Sequence, residues 1–116
     1  MMQVALVAVG GAIGSVVRFG IQKGLNVAFP FGTLTVNLVG CFLIGLLWAL
    51  SIKGLNEDKR LLMMTGFCGG FTTFSAFTLE AMQMLNSGKS LNFFLYTIAS
   101  VAFGLGATFL GYKLFS

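Results

Sequence analysis

The chain has 116 residues, of which 57% are hydrophobic and only 9% charged, with a formal net charge of +4. This is enough for one small domain, with too little polar surface to solvate it, because a soluble globule carries roughly 25% charged residues. Composition therefore implies an integral membrane protein, and the seven basic residues lie scattered at the ends of apolar segments, not in the patch a nucleic-acid partner needs.

The first apolar segment runs from about Gln3 to Gln22. Its opening, MMQVALVAVGG, carries no basic residue before Arg18, so it reads as a retained helix and not as a secretory leader. The second, Thr33 to Ile52, has no charge. The third, Leu61 to Asn86, contains only Glu80, and the fourth, about Leu91 to Tyr112, is again uncharged. Each reaches the ~20 residues a helix needs to cross a bilayer core. The connections KGLNVAFPFG, KGLNEDKR and NSGKS carry turn and polar signals. The expected fold is an all-α membrane protein, one four-helix domain over 1–116.

Four spans put both termini on one side. Lys53, Lys59, Arg60 and Lys113 lie on that side, and Arg18, Lys23 and Lys89 lie on the other. Basic excess normally orients a membrane protein, and four against three is a weak excess. Insertion both ways round is permitted, and with it an antiparallel dual-topology dimer.

Small residues mark helix contacts, because they let backbones approach closely in lipid. Gly10 and Gly14 form a GxxxG pair whose face continues to Arg18. Thr33, Asn37, Gly40 and Cys41 share a face of the second span, and Thr97, Ser100, Gly104, Thr108 and Gly111 a face of the fourth. Each stripe suits helix packing, and together they suggest a polar seam within an oligomer.

Among polar residues at membrane depth, Asn37 is either interhelical glue or an amide offering two donors to an anion. Arg18 either snorkels to the interface or lines an aqueous vestibule that concentrates anions. Glu80 is a functional carboxylate or caps a polar network. It is the sole acid within the spans, which rules out a carboxylate-dyad enzyme. There is no histidine, and Cys41 and Cys68, in separate segments without CxxC spacing, read as small buried residues.

The stretch GFCGGFTTFSAF, Gly66 to Phe77, holds three glycines and the pair Thr72-Thr73. Glycine costs a helix roughly 1 kcal/mol relative to alanine. A break near Gly69 to Thr73 is expected, freeing carbonyls that a cation, a neighbouring helix or local threonine hydroxyls must satisfy. Phe74 and Phe77 share a face beyond it. They either pack or turn positive ring edges to an anion, with Ser75 and Thr78 hydroxyls nearby. Weak donors of this kind can offset the dehydration of a small anion without holding it.

These residues carry a resemblance. GGAIGSVVRF (Gly10 to Phe19), GTLTVNLVGCFLIG (Gly32 to Gly45) and GFCGGFTTFSAF, followed by Glu80, occur in the order seen in the CrcB/Fluc fluoride channels, and the likeness covers nearly the whole chain. The resemblance implies an antiparallel homodimer in the inner membrane of a bacterium. Two pores, each built from both subunits, would pass fluoride that accumulates as HF from acid surroundings. It implies that Asn37 is the pore amide, that Phe74 and Phe77 are the paired phenyls, and that Ser75 and Thr108 belong to a hydroxyl track. It places Arg18 at the vestibule and a structural Na+ on the carbonyls of Gly69 and Thr72 at the dimer interface. Thr73 and Glu80 receive polar roles that the likeness does not define. Two positions depart from the pattern: Ala76 stands where a threonine is common, and Gly104 where a serine is common.

Two other readings compete. A small multidrug exporter needs a carboxylate in the first span, which instead holds Arg18. A non-transporting membrane scaffold accounts for the glycine stripes but not for the phenyl and hydroxyl cluster.

Overall fold

The computed structural model describes residues 1–26 and 30–116. Among them, four helical segments are long and apolar enough to cross a membrane: α1 (Met2–Leu25), α2 (Phe31–Ile52), a composite third span (Glu57–Asn86) and α6 (Ser90–Phe115). The third span comprises α3 (Glu57–Arg60), a π-helical stretch (Leu61–Cys68), α4 (Gly69–Phe71) and α5 (Phe74–Asn86). Each span extends a few residues beyond its apolar run. The KGLNEDKR connection is partly helical for a local reason. Asn56 Oδ1 accepts from Asp58 N at 2.7 Å, and acids precede bases along the short helix, matching its dipole.

Two glycine seams hold the spans together. Along α1, a Cβ built on Gly10 would meet the Leu62 carbonyl oxygen and lie 2.9 Å from Phe67 N. One built on Gly14 would meet the Phe67 carbonyl oxygen and lie 2.8 Å from Phe71 N. The GxxxG pair thus seats α1 against the third span of its own chain. Between α2 and α6 the same happens at Gly45, which faces the Thr108 carbonyl, and at Gly111, which faces the Phe42 carbonyl. Backbones this close exchange dispersion contacts along their length, which is the main attraction between helices when lipid is as apolar as the side chains.

Buried apolar side chains are few. Ala81, Met84 and Tyr96 form a cluster between α5 and α6, with Leu34, Phe77 and Phe93 packed on it. Most large apolar side chains of α1 and α6 face outward, as helices solvated by lipid require.

Candidate functional site

The backbone leaves the helical region between α4 and α5. Thr72 has φ −84 and ψ 156, and Thr73 has φ −146 and ψ 117. Both are comfortable extended conformations for β-branched residues. Thr73 then caps α5, its Oγ1 accepting from Ala76 N at 3.1 Å and lying 3.3 Å from Ser75 Oγ.

Asn37 holds this extended turn from α2. Thr73 N donates to Asn37 Oδ1 at 2.8 Å, and Asn37 Nδ2 donates back to Thr73 O at 3.2 Å. The amide therefore engages both backbone groups of Thr73, whose N–H no helix serves. Both glue and donor survive in the same side chain, because one of its two N–H groups is used here and one remains.

Carbonyls freed at α4 divide into two sets. Cys68 O accepts from Thr72 N and Thr72 Oγ1, and Gly70 O accepts from Arg18 Nε at 3.0 Å and Ser15 Oγ at 3.5 Å. The carbonyls of Gly69, Phe71 and Thr72 receive no hydrogen bond among the described residues, and Phe71 is buried. Gly69 is exposed, and nothing lies within 4 Å of a Cβ placed on it. Unpartnered hard oxygens of this kind fit an alkali cation. Arg18 thus points its guanidinium at a carbonyl of the third span, and its NH1 donates to Gln22 Oε1 at 3.3 Å.

A second polar centre surrounds Glu80. Its Oε2 accepts from Asn26 Nδ2 at 2.8 Å and Thr33 Oγ1 at 3.0 Å, and its Oε1 accepts from Tyr96 OH at 3.1 Å. Thr33 is fully buried and also accepts from Gln22 Nε2 at 2.8 Å, while its N–H donates to Asn26 Oδ1. Three donors on one carboxylate satisfy its ionised form without a basic partner. Gln22 links this group to Arg18, so one hydrogen-bonded chain runs from the Gly70 carbonyl to Tyr96.

Asn37, Phe74, Phe77, Gly69, Thr72 and Thr73 line one cleft of about 450 Å³, together with Cys41, Cys68 and Ser100. Among the described residues, no charged side chain lines it. The two phenyl centroids are 5.9 Å apart and tilted by 45°, and Phe77 also packs on Tyr96 at 5.1 Å. Phe77 is half-buried, whereas Phe74 is 78% exposed. Ser100 Oγ is buried with no hydrogen-bond partner among the described residues.

Thr108 does not line the cleft; its backbone faces Gly45, about 12 Å along α6 from Ser100. Sequence reasoning put both residues on one stripe and chose Thr108; of the two, Ser100 lines the cleft that the phenyls line. It also missed Asn26, Thr33 and Tyr96 as partners of Glu80, and Gln22 as the link from Thr33 to Arg18. Their one sequence signal is polar character at the ends of apolar runs, which ordinary loops share.

Residues 5–112 match the family model described as CrcB-like protein, Camphor Resistance (CrcB). A protein of Rhizobium leguminosarum bv. trifolii named Fluoride-specific ion channel FluC is 46% identical, over 96% of this chain and 94% of the relative. Proteins of the same name are similar in Aquifex aeolicus, at 45% identity over 93% and 92%, and in Thermus thermophilus, at 44% over 98% and 95%.

Proposed function

The chain belongs to the CrcB-like protein family, and from that premise we propose that it is a fluoride-specific ion channel, the activity named for its relatives. It is a multi-pass membrane protein, and it acts by passive conduction and not by catalysis. The observation that carries the proposal is the cleft: Asn37, Thr72, Thr73, Ser100 and the phenyls of Phe74 and Phe77 line it, with no charged side chain among the described residues. Fluoride is small and strongly hydrated. A path for it must offset dehydration at each step yet release the ion, and weak donors in series do both.

In this reading the extended turn at Thr72 and Thr73 is a functional interruption of the third span. Asn37 offers its remaining N–H, Phe74 and Phe77 their positive ring edges, and Ser75 and Ser100 their hydroxyls. Arg18, half-buried beside the interruption, raises anion concentration at its mouth while holding the Gly70 carbonyl. Glu80, held by its three donors, keeps Tyr96 and so Phe77 in place.

A second, antiparallel copy completes the site. Phe74, Ser75 and Gly69 are exposed on one chain at membrane depth, an arrangement supported by a partner that covers them. The Gly69 and Thr72 carbonyls of one chain are too few to enclose an alkali ion. Two copies supply four, which is the support for a structural Na+ shared at the interface, where it would pin the two interruptions together. A small exporter of cationic drugs is disfavoured, because α1 contains no acid to carry a proton.

Purified protein reconstituted in liposomes tests the proposal. A fluoride gradient is expected to dissipate on addition of a K+ ionophore while a matched chloride gradient is retained. Absent fluoride release, or equal chloride release, refutes it.

A further inference from the structure

Gly104 leaves α6 without a side chain in the middle of its polar stripe. The atom nearest to a Cβ built there is Cys41 Sγ of α2, at 3.5 Å, an ordinary contact distance. The Cys41 thiol therefore stands at the level that Gly104 vacates. Cys41 lines the same cleft as Asn37, Phe74, Phe77 and Ser100. Asn37 and Cys41 are one turn apart on α2, and Ser100 and Gly104 one turn apart on α6, so the thiol follows Asn37 as the missing side chain would follow Ser100. Cys41 is half-buried, is not in a disulfide, and makes no hydrogen bond among the described residues. Ser100, one turn before Gly104, lines the same cleft, and its Oγ has no hydrogen-bond partner among the described residues.

We propose that Cys41 is a specificity-determining residue of the anion path, whose S–H supplies the donor that α6 lacks at Gly104. The inference rests on the fluoride reading above. A thiol is a weak donor on a large, polarisable atom. It extends the row of donors by one turn, with a softer contact than a hydroxyl would make.

The test compares fluoride release from liposomes for wild type, Cys41→Ala, Cys41→Ser and Cys41→Ala/Gly104→Ser, each confirmed to elute from size exclusion as wild type does. Cys41→Ala is expected to slow release by roughly threefold, the scale of one weak neutral hydrogen bond. Cys41→Ser keeps or raises the wild-type rate. The double variant, which returns a hydroxyl from the opposite helix, recovers it. A small cationic methanethiosulfonate reagent provides a second readout that packing alone does not move. It is expected to block the Cys68→Ala protein and to spare Cys41→Ser/Cys68→Ala. Wild-type release from Cys41→Ala, or an unblocked Cys68→Ala protein, overturns the inference and leaves the fluoride reading standing. If wild type itself releases no fluoride, both fall.

Discussion

The two halves of the third span are held by opposite means. From Leu61 to Phe71 the helix lies on α1, and what positions it is the absence of side chains: Gly10, Gly14 and Gly70 bring backbone onto backbone. From Phe74 to Asn86 the helix leaves α1 and packs on α6 through Ala81, Met84 and Tyr96, and particular polar groups fix where it sits. Asn37 grips Thr73, and Asn26, Thr33 and Tyr96 grip Glu80. The first arrangement is stiff and indifferent to chemistry. The second leaves a cleft open beside it, because hydrogen bonds at a few points hold a helix without filling the space between. A channel needs both, a fixed anchor and an adjacent wall that is not packed shut.

Gly14→Val attacks the anchor and is expected to have the largest effect. Its Cβ meets backbone atoms that cannot rotate away, so the loss reaches about 3 kcal/mol or more, beyond ordinary overpacking. Little monodisperse protein should be recovered in detergent, and a normal yield with an unchanged melting temperature would show that the seam is loose. Glu80→Gln attacks the polar half more gently. Every partner of the carboxylate donates to it, so an amide N–H faces a donor, at about 1–3 kcal/mol. A lowered melting midpoint, with the protein still folded, is the expected result; no shift would mean that the network around Glu80 adds nothing to stability. Gly20→Ala is the smallest change and the control for the anchor. It lies on α1 with nothing within 4 Å of its Cβ, so alanine should leave stability unchanged or raise it by up to ~1 kcal/mol. A marked loss there would place a further surface against that face of α1.

Much of this molecule is legible in one dimension. The four spans follow from the lengths of the apolar runs, and the glycine pair on α1 was readable as a packing face. The partner of that face was not readable, because GxxxG serves contact within a chain as well as between chains. Asn37 stood out as a costly amide, yet its partner lies 36 residues away at Thr73. Glu80 stood out as the lone acid, while its three donors come from the end of α1, the start of α2 and the first turns of α6. On α6 the stripe from Thr97 to Gly111 has the right period throughout, and periodicity names a face but not a depth. The crossing with α2 decided that Ser100 meets the cleft while Thr108 meets Gly45.

The division follows from the range of the forces. Exclusion of charge from hydrocarbon acts on each segment by itself, so composition and run length determined that this chain is a four-span membrane protein. Hydrogen-bond partners and close backbone contacts are set where distant segments cross. Only the tertiary structure decided that Asn37 clasps Thr73, that Arg18 reaches the Gly70 carbonyl, and that Cys41 stands where Gly104 has no side chain.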